Sequence, residues 1–409
     1  MNRIIFWIVL AALVLSACNP AGPAPPLQST STPTNSSNNA LPTATNSPSP
    51  TPSPPTVTAS PTTIPSPTPT STPLPPEDFG PTNFPMDVNP LTGLRVEDPS
   101  LLDRRPVSIK LQTFPRTQRP DWAISQADIV YDYYQNNGLT RLNAIFYGNN
   151  PEQVGPVRSA RLLDDHIIRM YKANFAFGGA DQKILNRLYS AEYANRLVVE
   201  GTNSCPSLCR VDPNGFNFLV ANIGAIGPYL ESKGADDSRQ KLDGTTFTYE
   251  APASGTPGEN AYVRYSISSY VNWKYDPKTG RYMRFQDKQE ANTAQEEVFE
   301  PFIDRVDNQQ VAADNVLVLK VVHQYAYKAG NSEVIDILLG GSGEAYAFRD
   351  GQAYKLQWNR PGSDLFTLTF PDGTPYSLKP GTTWIQVVGQ NSTTEQTQDN
   401  GMRFEFRIP

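Results

Sequence analysis

Arg158-Ser159-Ala160-Arg161 places two guanidinium groups three residues apart, just ahead of Leu163, Ile167, Met170 and Tyr171 at helical spacing. The spacing predicts an amphipathic helix with Ser159 as its N-cap. Backbone N–H groups and the positive end of the helix dipole gather at such a start. Two guanidinium forks beside them make Arg158, Ser159 and Arg161 a candidate anion site for a phosphate, carboxylate or uronate group. The same residues fit a purely structural use, with Arg161 paired to Asp165 one turn on and Arg158 tied to Asp128 or Asp132. Asp164, Asp165 and His166 follow at once, but successive helix residues point about 100° apart, so only part of this triplet can converge on one point. His166 would act as a general base if Asp128, Asp132 or Asp164 oriented it; a place on the surface or in helix packing is the alternative. Arg141, on the hairpin before this helix, is a supporting candidate. Trp122, Tyr131, Tyr133, Tyr134, Trp273, Trp358 and Trp384 could stack on sugar rings or fill cores. No nucleophile elbow, zinc-ligand spacing or phosphate loop is present, so no catalytic residue, metal or cofactor is assigned.

The elements that must position these groups are legible around them. Val107, Ile109 and Leu111 alternate with Ser108, Lys110 and Gln112, the period-two pattern of a half-buried strand. Ile129 to Tyr134 and Arg141 to Tyr147, separated by Gln135-Asn136-Asn137-Gly138, predict a hairpin. In it Tyr131 and Tyr133 share one sheet face and Tyr134 takes the other. Asn174 to Phe177 reads as a strand, Asp181 to Tyr189 as a second helix and Phe218 to Lys233 as a third. After about residue 245 strand-like runs dominate, among them Val316 to Tyr325, with Asp350-Gly351 and Asp372-Gly373 as hairpin turns. The expected fold is α+β: a mixed N-terminal domain over 86–244 with layered sheet and helices, a smaller, mostly antiparallel β domain over 245–390, and an extension over 391–409.

Ahead of these lie 85 residues of another kind. A basic start at Arg3 and an uncharged run from Ile4 to Leu15 have the proportions of a signal peptide, too short for the roughly 20 apolar residues of a membrane span. Leu15-Ser16-Ala17-Cys18 resembles the bacterial lipobox, which implies a signal over 1–17, cleavage before Cys18 and a diacylglycerol on its thiol, a two-chain anchor. From Asn19 to Pro76 the chain has 18 of its 39 prolines and no Asp, Glu, Lys or Arg. With almost nothing apolar to bury, residues 18–85 are expected to form a stalk, of which the 58 residues from Asn19 to Pro76 reach at most about 180 Å as polyproline II. Cys205 and Cys209, the other two cysteines, are expected to pair as a disulfide in an exported protein.

The whole chain carries −6, and its signal segment contributes only Arg3, so the processed side chains sum to about −7. Net repulsion argues against nucleic acid and against general attraction to polyanions, while a local basic patch could still act.

Several blocks resemble the YerB-like lipoproteins of Gram-positive and related bacteria, a two-part family. They are Arg105-Pro106-Val107, Ser125-Gln126-Ala127-Asp128-Ile129-Val130-Tyr131, Gly138-Leu139-Thr140-Arg141, Gly155-Pro156-Val157-Arg158-Ser159-Ala160-Arg161, Gly341-Ser342-Gly343-Glu344-Ala345 and Pro380-Gly381-Thr382-Thr383-Trp384-Ile385. The likeness implies a lipoprotein with an α+β first part and a β-rich second part, and no defined activity. Thr202 to Arg210 and the tail after Val388 depart from it. Two function classes remain. The first is a lipid-anchored, extracytoplasmic binding or scaffolding module for a wall polymer or an envelope protein. The second is an envelope hydrolase or transferase holding an anionic substrate through Arg158 and Arg161. The absence of a catalytic set favours the first.

Overall fold

The computed structural model describes residues 76–211, 218–330 and 332–408. Cys18, the signal segment and most of the expected stalk lie outside them. Residues 77–85, placed in the stalk by their prolines, are part of the fold. Phe79 and Phe247 exchange backbone hydrogen bonds of 3.1 and 2.8 Å, and Arg95 reaches Glu77 at 2.7 Å. A composition window cannot see that Phe79 has a partner 168 residues on.

The first half supplies β1 (Val107–Leu111), β2 (Ile129–Asn136), β3 (Leu139–Phe146), α1 (Leu162–Tyr171), β4 (Asn174–Phe177), α2 (Gln182–Tyr189), β5 (Leu197–Val199) and α3 (Ile223–Glu231). The β2–β3 turn is Asn137-Gly138, both with positive φ (50° and 79°), the backbone that a two-residue hairpin requires. Helix α1 ends at Lys172 in the left-handed conformation, and α2 is capped by Asp181. The predicted third helix is split. Leu219–Ala221 pairs as a short strand, and Asn222 then caps α3 through its side chain.

The second half supplies β6 (Asn260–Arg264), β7 (Tyr270–Asp276), β8 (Arg281–Asp287), β9 (Asn315–Val321), β10 (His323–Ala329), β11 (Ser332–Ile337), β12 (Gly341–Arg349), β13 (Gln352–Arg360), β14 (Thr383–Gly389), β15 (Thr393–Gln396) and β16 (Gly401–Glu405). The single run expected over Val316 to Tyr325 is two strands, β9 in the large sheet and β10 in a separate hairpin with β11. Asp350 and Gly351, again both at positive φ, turn β12 into β13.

One eleven-stranded sheet takes strands from both sides of residue 245, in the order β13-β12-β9-β14-β2-β3-β1-β4-β5 through its body. Its seam is parallel: β14 pairs β2 on one side and β9 on the other. The two sequence segments therefore share one core, since Tyr131 and Tyr133 of β2 and Ile385 and Val387 of β14 lie in the same buried cluster. Segment 391–409 is no appendage either. Strand β16 pairs in parallel with β6 in a second sheet, where Phe404 is fully buried.

The central sheet has α1 on one face and the second sheet on the other. On the sheet-facing side, Arg284 donates from Nη2 to Asp132 Oδ2 at 3.0 Å, both essentially unexposed. The guanidinium carbon lies 4.4 Å from the Phe302 ring centre and 4.8 Å from that of Trp384. Trp273, Trp358 and Trp384 are all buried, which leaves none of these rings an open face for sugar stacking.

Asp121 sits in the same region, 1% exposed, with both carboxylate oxygens lacking a hydrogen-bond partner among the described residues. Burial pushes its carboxyl well above the usual carboxylate range and Asp304 adds to this, against Arg119, Arg284 and Arg305. A carboxyl raised on folding binds its proton more tightly in the folded state, so stability falls as pH climbs through and above the ordinary carboxylate range. Asp121→Asn is expected to lack that fall, matching the parent near pH 4 and exceeding it near pH 8 in urea midpoint. A variant equally weakened at both pH values would show that the carboxyl is needed as such.

Candidate functional site

Register brings the polar side chains of three strands onto the α1 face of the sheet. Lys110 on β1 stands opposite Asn143 on β3, and Tyr133 on β2 stands opposite Arg141 on β3. Asp164, in the first turn of α1, comes down on them. Its Oδ1 accepts from Asn143 Nδ2 at 2.8 Å and from the Tyr133 hydroxyl, and its Oδ2 accepts from the Arg161 backbone N–H at 2.6 Å. Lys110 Nζ donates to the Tyr133 hydroxyl and lies 3.5 Å from Asp164 Oδ1. Ser108 Oγ donates to Asn143 Oδ1 at 2.7 Å. All five side chains are 0% exposed.

Such a cluster survives burial because each polar atom has a partner; an unpaired one would cost several kcal/mol. Burial pushes the Lys110 ammonium down to about 7, Asp164 resists, and Arg141 and Arg161 push further down. Tyr133 is driven far up by burial, with the Asp164 charge next in effect.

An arginine rim surrounds this core. Arg161 donates to Ser159 O, to Ala160 O at 2.8 Å and to Gln135 Oε1 at 2.6 Å. Arg141 donates to Ser159 O at 2.6 Å, while its Nε is buried without a partner among the described residues. Arg158 is half-buried and donates to Gln118 Oε1 at 3.0 Å. Burial works first against the charge of all three. Lys110, Arg141 and Arg161 thus stand around one buried carboxylate, with Arg158 near enough to act on Arg141.

Two family models match: the DUF3048 N-terminal domain over residues 91–212 and the DUF3048 C-terminal domain over residues 261–385, each described as a protein of unknown function. The chain is 28% identical over 308 residues to YerB of Bacillus subtilis (strain 168), a protein named as a lipoprotein, covering 73% of this chain and 85% of that one. It also matches the crystal structure of the YerB protein from Bacillus subtilis with a TM-score of 0.61 and 26% identity, over 74% of this chain and 96% of that chain. The chain belongs to the YerB-like DUF3048 family.

Within this YerB-like fold the residues singled out from sequence divide into groups. Arg141, Arg158, Ser159, Arg161 and Asp164 are brought together. Ser159 is not the cap of α1: the helix starts at Leu162, and residues 157–160 run extended, with Arg158 N bonded to Lys110 O and Ala160 N to Gly179 O. Asp165 leaves the cluster for Arg169 at 3.0 Å and for the Tyr193 hydroxyl, so it does not pair with Arg161. His166 is met by Arg360, whose Nη1 lies 3.0 Å from its Nδ1, and burial with that cation lowers its pKa. A cation in that place orients no general base. Asp128 is held by Asn89 and by the N–H groups of Tyr147 and Gly148, and burial raises it to about 6. Asp132 faces the second sheet, on the far side from Asp164. Neither is the tie for Arg158.

Cys205 and Cys209 are joined by a disulfide with their Cα atoms 5.0 Å apart. Just past it, Arg210 bonds Glu200, and both act electrostatically on Arg158. Lys110, Ser108 and Asn143 were not legible as site residues. Their alternation with apolar neighbours marks a solvent face, yet the strand Val107–Leu111 is buried throughout. A lysine on the same strand face as Ser108 and Gln112, two strands from tyrosine-rich β2, was the available signal.

Proposed function

We propose that this YerB-like protein is a lipid-tethered, extracytoplasmic binding module that holds an anionic group of a wall polymer at the arginine rim of α1. The convergence of Arg141 and Arg161 on the Ser159 carbonyl at the start of α1, with Arg158 acting electrostatically on Arg141 and one buried carboxylate beside them, carries this reading. The Bacillus subtilis relative, named as a lipoprotein, supports the tether. The stalk would set the distance from the membrane at which the ligand is met.

The enzyme reading has its own observation, the Lys110–Tyr133–Asp164 chain with a lysine poised near neutrality. It is the weaker of the two. A general base must come within hydrogen-bond reach of the proton it takes, and all three groups are sealed from solvent.

Arg158→Gln is the test, read beside Arg161→Gln, whose guanidinium bonds three acceptors of the fold. It is expected to melt like the parent and to lose roughly tenfold to a hundredfold in affinity for isolated wall polymer, the worth of one charge-assisted contact. Arg161→Gln is expected to lose stability as well as binding. Unchanged retention of Arg158→Gln on wall fractions would end the proposal.

A further inference from the structure

On the same face of the central sheet, beyond the far end of α1, the fold encloses a cavity of about 290 Å³. Its floor is Ile129 of β2, Leu317 of β9 and Ile385 of β14, adjacent through the parallel seam. Its end wall is Tyr171, the last residue of α1, whose hydroxyl is 2.8 Å from that of Tyr131. None of the lining residues is Asp, Glu, Lys, Arg or His.

The rims are built, not left over. Arg360 donates to Asp364 O at 2.9 Å and to Ser363 O at 3.0 Å, and residues 367–369 pair with β13, so Leu365 and Phe366 are presented half-exposed at the mouth. On the other side Gly244 N bonds Pro81 O at 2.8 Å, and Phe247 is paired to both Phe79 and Leu378. Two strapped rims around an apolar hollow are what keeps a site open in a core that would otherwise close on itself.

The geometry points to a binding site for one hydrocarbon chain, with its polar end left at the threonine-lined mouth. The absence of any ionisable side chain other than tyrosine rejects a buried charge. The volume is about twice that of the ~150 Å³ cavity that accepts benzene, which suits a chain of on the order of ten carbon atoms. The site is separate from the arginine rim and does not depend on it.

The test uses the full chain carrying Cys18→Ser, in detergent-free buffer, with the neutral fluorescent probe N-phenyl-1-naphthylamine. The expected result is saturable one-site fluorescence that dodecanol displaces and glycerol does not. Displacement by phosphatidylglycerol vesicles as well would identify membrane lipid as a source of the chain; displacement by dodecanol alone would identify a free one. Thr367→Trp, which narrows the mouth from an exposed position, and Phe366→Asp, which brings a charge to it, are each expected to weaken the probe at least tenfold while melting like the parent. Arg158→Gln is expected to bind it unchanged. No saturable signal in the parent, or both mouth variants binding within twofold of it, would overturn the assignment.

Discussion

Asp132→Ala is expected to unfold at a urea midpoint far below the parent's, with a loss of about 3–5 kcal/mol. Asp132 is sealed between the two sheets, and its Oδ2 takes the Arg284 guanidinium at 3.0 Å. Arginine does not shed its proton in a protein, so the truncated variant keeps a buried positive charge without that acceptor. The rings of Phe302, Trp384 and Trp273 offset part of the loss, since cation–π contact contributes up to about 2 kcal/mol when desolvated. They supply no hydrogen-bond acceptor in the plane of the guanidinium. Adding Arg284→Met to Asp132→Ala is expected to return most of the stability, because an apolar side chain suits the aromatic cage. A double variant weaker than the single one would show that Arg284 is compensated elsewhere.

Asp164→Ala is the second large loss, again about 3–5 kcal/mol, because one carboxylate serves Tyr133, Asn143 and the Arg161 N–H while facing Lys110. Lys110→Met should cost less, since Asp164 keeps its other three donors. The lysine also leaves a pH signature. Its ammonium falls from the ordinary 10.5 to about 7 on folding, so between those values the unfolded chain binds the extra proton and stability rises with pH. Relative to Lys110→Met, the parent is expected to gain stability from near pH 7 to near pH 10 and to be at its relative weakest below pH 7. A constant gap between the two across that range would rule out a depressed ammonium.

Both losses fall on residues whose importance the sequence understated. Asp132 and Asp164 were among many carboxylates near two arginines, and pairing by sequence distance linked them to the wrong partners. Arg284 lies 152 positions from Asp132, and Lys110 lies 54 positions before Asp164. Helical periodicity, by contrast, located α1 and α2 to within a few residues, because a repeat of 3.6 is a local property. The turn at Asn137-Gly138 was legible for the same reason: positive φ at two successive residues is a demand that few residue types meet.

Local chemistry in the sequence determined the strands, the helices, the hairpin turns, the YerB-like blocks and the proline-rich composition of the first 76 residues. Each of these depends on neighbours within about a dozen positions. Only the tertiary structure decided that β14 lies between β2 and β9 and so fuses the two halves into one sheet. It also decided that α1 covers a polar strand face instead of leaving it to water, and that the lining beyond Tyr171 stays open. Those outcomes rest on which faces meet across long stretches of chain, and an alternating pattern is the same whether its polar side is wet or is sealed by partners from elsewhere.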